Sequence, residues 1–340
     1  MADLSSCKYS ILDLAPIRDD GNAATALKNS LALAQHAEKL GFTRFWVAEH
    51  HNMDGIASSA TAVLIGYLAG NTQKIRVGSG GVMLPNHSPL VVAEQFGTLA
   101  TLYPDRIDLG LGRAPGSDQN TARALRRNHL ETAEEFPQDV SMIQALLGDE
   151  QPNQLIKAVP GQGTHVPLWL LGSSLFSAQL AAQKGLPYAF ASHFAPRMMM
   201  DAIRIYRENF KPSATLDKPY VMLGVPLIAA DTDERAQYLA TSLYQRIANL
   251  MQGKSIKSQP PIENMPPLSP QLQAALDGFL GMAAIGSADT VKQRLSQIVQ
   301  ETQADELIFT SDVYDMSDRL RSLEIAAQVF NGNNVEQQAI

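Results

Sequence analysis

Short apolar runs alternate along the chain with longer stretches in which apolar residues return every third or fourth position. The runs at 9–14, 42–51, 75–84, 106–112, 166–171, 188–193, 220–230 and 306–310 read as strands. Helical spacing fills 24–40, 58–69, 88–102, 121–147, 178–184, 196–210, about 232–250, 287–300 and 320–330, with a break expected at Phe136-Pro137. Local signals agree: Gly41 stands where a left-handed C-terminal cap belongs, Ser88-Pro89 opens a helix, and 231–234 is a polar cap. The helix at 58–69 is apolar nearly all round, so it must be buried on more than one side, and a second subunit could cover it. Five prolines (Pro260, Pro261, Pro266, Pro267, Pro270) interrupt the rhythm and predict a mobile lid loop over 252–270, while 331–340 is a polar tail. Eight strands, each with a helical partner, predict an α/β fold. A single closed (β/α)8 TIM barrel over 1–340, with the Pro-rich loop inserted before the last strand, fits better than an open doubly wound sheet.

The polar residues reinforce this reading. Glu49/His50, Asn86/His87, Arg113, Ser173/Ser174, Ser192/His193 and Ser311/Asp312 each follow the C-terminal end of a predicted strand, the face on which barrel enzymes keep their sites. Gly78, Gly80 and Gly81 break the third strand, which marks a bulge or the close approach of another body to the backbone. Arg113 is placed to meet an anion, or to pair with Asp118 or Asp108; a buried bare cation there would need neutralising. Ser173, Ser174 and Ser177, around Leu175, open a helix, and they fit a phosphate site or a simple cap. The Glu49-His50-His51 run allows a metal reading only if the strand has ended, because neighbours on a strand face opposite ways. Otherwise His50 is a hydrogen-bonded residue of the barrel end and His51 a surface one. His87 and His193 read as supporting hydrogen bonders.

Composition narrows the partners. A net charge of −7 argues against a nucleic-acid or anionic-membrane partner, and 45% hydrophobic residues suffice for a large core. Cys7 is the single cysteine, so an intrachain disulfide and a cysteine metal cluster are both excluded. No stretch approaches the roughly 20 apolar residues of a membrane span, and residues 1–20 lack the pattern of a signal peptide. A cytoplasmic protein is expected. No dinucleotide fingerprint of glycines is present, which argues against a nicotinamide-binding Rossmann domain.

Three runs, VAEHHNMDGIASSATAVLIGYLA, RVGSGGVMLPNHSPLVVAEQFGTLATLYPDRIDLGLGRAPGSD and PLWLLGSSLFSAQLAAQKGLPYAF, resemble the bacterial luciferase-like flavin monooxygenases, over about 9–330. The resemblance implies a barrel that binds FMN as reduced flavin from a separate flavin reductase and uses O2 to oxidise a small-molecule substrate, as a homodimer with no metal. It implies a catalytic His50, a non-proline cis peptide at Gly80-Gly81 beneath the flavin, and phosphate binding by Arg113, Ser173, Ser174, Ser177 and the Leu175 backbone. The position before Arg113, a reactive cysteine in luciferase itself, is Gly112, so light emission is not implied. Rival readings are hydride transfer with a deazaflavin, a non-catalytic FMN-binding protein, and a metal-dependent barrel hydrolase using His50 and His51.

Overall fold

The computed structural model describes residues 3–114, 119–125 and 134–332. Its parallel strands run β1 (Lys8–Asp13), β2 (Arg44–Val47), β3 (Arg76–Met83), β4 (Ile107–Gly112), β5 (Leu168–Gly172), β6 (Tyr188–Phe190), β7 (Val221–Ala229), β8 (Ala284–Gly286) and β9 (Glu306–Thr310). Pairing proceeds from β1 through β7 in chain order, then β7 to β9 and β9 back to β1, which closes an eight-stranded barrel. β8 stands outside this ring and pairs with Leu227, Ile228 and Ala229, beyond the residues of β7 that meet β6 and β9. The eight expected strands and the closed barrel are therefore present, and β8 is an addition. At three residues, β8 is too short to carry a period.

The helices are α1 (Ala23–Lys39), α2 (Thr61–Gly70), α3 (Pro89–Leu102), α4 (Gln119–Leu125), α5 (Phe136–Leu147), α6 (Leu175–Lys184), α7 (Met199–Glu208), α8 (Asp233–Met251), α9 (Pro270–Leu280), α10 (Ala288–Thr302) and α11 (Met316–Asn331). Phe136-Pro137 opens α5 after a non-helical 134–135, at the expected break, because proline needs no N–H partner in the first turn; 126–133 lie outside the described residues. Likewise Pro270 begins α9, where the Ser269 hydroxyl accepts from the Leu272 N–H, so the Pro-rich loop ends one residue earlier than its composition suggests. α11 reaches Asn331, and 333–340 lie outside the described residues.

Strand alternation divides the core in two. Ile11, Phe45, Val47 and Val77 face the helices in the large outer cluster, while Leu12, Trp46, Ala48, Trp169 and Ile308 fill the barrel. Trp46 meets Trp169 edge-on at 5.1 Å between centroids, and Trp169 meets Tyr220 at 5.5 Å. At the N-terminal end of the strands the interior turns polar: Arg44 pairs with Asp108 and Glu306, Trp46 Nε1 donates to Asp108, and Tyr220 donates to Glu306. The barrel is thereby plugged at one end and open to chemistry at the other.

Candidate active site

Because the strands are parallel, the residues that follow them share one rim. Just beyond β2, Glu49 is 1% exposed, and its carboxylate is surrounded by donors. His51 Nε2 lies 2.9 Å and His87 Nε2 2.8 Å from Oε1, and the Met83 N–H donates to Oε2 at 3.2 Å. Burial pushes this carboxyl upward, but the hydrogen bonds and charge of His87 and then His51 outweigh it and hold it below the ordinary glutamate range. Oε1 and the two Nε2 atoms lie within 4.8 Å of one another, a set of one carboxylate and two imidazoles. The sequence reading weighed a metal on His50 and His51; the structure groups His51 with Glu49 and His87 and leaves His50 outside that set. His51 is also no surface residue, for its side chain is 16% exposed.

His50 is half-buried at the rim, and its backbone N–H donates to the Ser58 carbonyl at 3.2 Å. It lies within electrostatic reach of His193, which follows β6. Burial first, and then the charge of His50, pushes His193 down to about 4, against an opposing pull from Asp312. Among the described residues the Nδ1 of His193 has no hydrogen-bond partner. It packs on Gly224 so closely that a Cβ at that position would stand 2.2 Å from it. Asp312, after β9, pairs with Arg246.

Gly80 and Gly81 lie where β3 shifts register, between Ser79 and Val82, as the expected bulge requires, and the peptide between them is cis. The bodies that press on them are the protein's own: a Cβ on Gly80 would stand 2.6 Å from Leu12, and one on Gly81 2.8 Å from the Gly110 carbonyl. Glycine is required there by barrel packing, whatever lies on the open side.

Arg113 follows β4 and is exposed, so the expectation of a buried cation is corrected. Its guanidinium lies 4.2 Å from the centre of the Phe176 ring, in the first turn of α6. Among the described residues no carboxylate pairs with it; Asp108 is taken by Arg44 and Arg76, and Asp118 lies outside those residues. At the head of α6, Ser173, Ser174 and Leu175 are half-buried, and Ser174 caps the helix by backbone geometry with no side-chain bond. Ser177 differs: it is 3% exposed and its hydroxyl donates inward to the Ser174 carbonyl at 3.0 Å. The sequence carries no sign of Phe176 as a platform. Nor did it show the link from Glu49 to His87, which spans 38 residues.

The Pro-rich segment is tied to the loops that follow β1 and β2. The Ser258 N–H donates to the Ile17 carbonyl and the Asp19 N–H to the Ser258 carbonyl, both at 2.9 Å. The Ile256 N–H donates to Asp54 Oδ1 at 3.2 Å, and the Ile256 carbonyl would stand 2.2 Å from a Cβ on Gly55.

Comparison with known proteins agrees with this architecture. Residues 7–306 match the family described as luciferase-like monooxygenase. The chain is 53% identical over 322 residues to a luciferase-like monooxygenase of Escherichia coli strain K12, spanning 94% of this chain and 96% of that protein. Among solved structures, apo-MsnO8 superposes with a TM-score of 0.87 at 35% identity, covering 96% of this chain and 98% of its own. The oxygenating constituent of 3,6-diketocamphane monooxygenase from Pseudomonas putida, in complex with FMN, superposes at 0.69 and 15% identity, over 95% of this chain and 98% of that one, and bears on the fold alone. With barrel, rim and sequence in agreement, the chain belongs to the luciferase-like monooxygenase family of enzymes.

Proposed function

We propose that this enzyme is the oxygenase of a two-component system, taking reduced FMN from a separate flavin reductase and using O2 to oxidise a small organic substrate. The observation that carries the reading is the contact of Arg113 with Phe176, which brings a guanidinium with no carboxylate partner among the described residues to the head of an α6 whose cap makes no side-chain bond. The first N–H groups of a helix lack intrahelical acceptors and its dipole favours negative charge, so this corner has the donors that a terminal phosphate needs. The residues present therefore fit FMN. Arg113, Ser173, Ser174 and the Leu175 N–H would hold the phosphate, Ser177 would brace the turn from beneath, and Gly80 and Gly81 would border the ring.

When bound and reduced, the flavin supplies the two electrons that let one atom of O2 enter the substrate while the other leaves as water. His50 is the group that gives or takes the proton this requires, since an imidazole titrates near working pH and it stands on the rim. His193, pushed down to about 4, stays neutral beside it at neutral pH. Met53, Met83 and Phe194 would wall the substrate, and the 252–269 segment would exclude water from the mouth, which strengthens every charge interaction inside. The buried Cys7 thiol, pushed up to about 12 by its surroundings, takes no part. No helix of the described residues is long and apolar enough to cross a membrane, in keeping with a cytoplasmic enzyme.

Purified protein given chemically reduced FMN should take up oxygen faster when certain small organic compounds are added. His50→Ala should bind FMN as the wild type does and lose about 10²- to 10⁴-fold in product formation. Unchanged turnover removes His50 from the chemistry, and tighter binding of a deazaflavin than of FMN moves the reading to hydride transfer.

A further inference from the structure

A carboxylate taken out of water needs donors for its oxygens, and Glu49 has three, from three different segments. The unusual feature is their arrangement. Two imidazoles converge on the single oxygen Oε1, at 2.9 Å from His51 in the loop after β2 and at 2.8 Å from His87 in the turn after β3. An ionised carboxylate only accepts, so both facing Nε2 atoms must carry hydrogen. Each ring, when neutral, is then fixed as the Nε2–H tautomer, which leaves Nδ1 as its acceptor.

We infer that Glu49 is a positioning residue, whose carboxylate locks the tautomer and orientation of His51 and His87 and so joins the β2 and β3 loops into one wall of the mouth. His50 lies in the chain between Glu49 and His51, and its backbone is held by Ser58. Its side chain therefore starts from a segment fixed on both sides. Glu49 acts through its neighbours: both of its oxygens are engaged by protein donors, so it is a brace for the acid/base group. The inference rests on the reading of His50 as that group.

Histidine-selective nitrogen NMR of the flavin-free wild-type chain at about pH 8 tests the brace without turnover. His51 and His87 should both show protonated Nε2 and bare Nδ1, and Glu49→Gln should lose that uniform pattern. In the same variant, FMN affinity should stay at the wild-type value, while reoxidation of bound reduced FMN slows about tenfold or more. Nδ1–H tautomers in the wild type overturn the inference. So does a folded Glu49→Gln chain with wild-type tautomers and wild-type reoxidation of bound reduced FMN. A divalent metal ion retained stoichiometrically by the wild type and lost in Glu49→Gln would also overturn it, since the three side chains would then be ligands. If the wild-type tautomers are as expected but His50→Ala turns over normally, the acid/base assignment fails and the hold on the two rings stands.

Discussion

Burial disfavours the charged form of an imidazole, and His193 is a residue on which this acts most strongly. Its folded value of about 4 lies below the ordinary 6.5. Protonation therefore favours the unfolded chain: the stabilisation is fully present above about 6.5, is lost progressively as pH falls below it, and is gone once pH has fallen through about 4. Urea unfolding at pH 7 and pH 5 should differ by roughly 2 kcal/mol from this group, and His193→Gln should remove that part of the slope. An equally steep loss in the variant would contradict the assignment. The same scale shows where reading by sequence stops. His50, Arg113 and the serines at the head of α6 were legible because each follows an apolar strand, and strand ends in a barrel converge on one rim. The Glu49–His87 link and the Phe176 platform beneath Arg113 were not, because they depend on how neighbouring loops turn.

Elements explain which parts of the chain bind and which only hold. The buried ion pairs sit at strand beginnings: Arg44, Arg76 and Glu306 are the first residues of β2, β3 and β9, and Asp108 is the second of β4. They lie at the end of the barrel opposite the rim, where residues serve stability. Asp108 is fully buried and accepts from Arg44, Arg76 and Trp46. Its loss leaves Arg76 without its carboxylate and Arg44 with Glu306 alone. Asp108→Ala should destabilise the chain by about 3–5 kcal/mol, measured by denaturant unfolding, with FMN affinity unchanged in the folded fraction; a loss below about 1 kcal/mol would show that the network is dispensable. The strands were legible as apolar runs because both faces of each are covered. Their ends were less so: β2 stops at Val47 and β6 at Phe190, short of the polar residues that the runs lead into. Pro137 and Pro270, read as interruptions, start helices.

For the whole molecule, the outer surface of α2 and α3 carries the expectation of a dimer. α2 buries Leu64, Ile65 and Leu68 against the barrel yet leaves Val63 75% and Tyr67 42% exposed. Its neighbour α3 exposes Leu102 at 63%, and Tyr103 at the end of α3 donates to the Gly66 carbonyl, so the apolar residues lie on adjoining helices. A second copy would cover them, which is what an almost wholly apolar helix needs. Light scattering should give twice the chain mass for the wild type, and Val63→Glu with Tyr67→Glu should shift it toward the monomer; a monomeric wild type contradicts the dimer.

On the proposed function, the corner between Arg113 and α6 receives the phosphate of FMN. The most direct measurement is a pair of binding titrations, with FMN and with riboflavin, which differ by that phosphate. FMN should bind the wild type about tenfold to a hundredfold more tightly, the range expected of hydrogen bonds between charged groups, and Arg113→Ala should bring the two flavins close together. Equal affinity of the wild type for FMN and riboflavin would contradict the account.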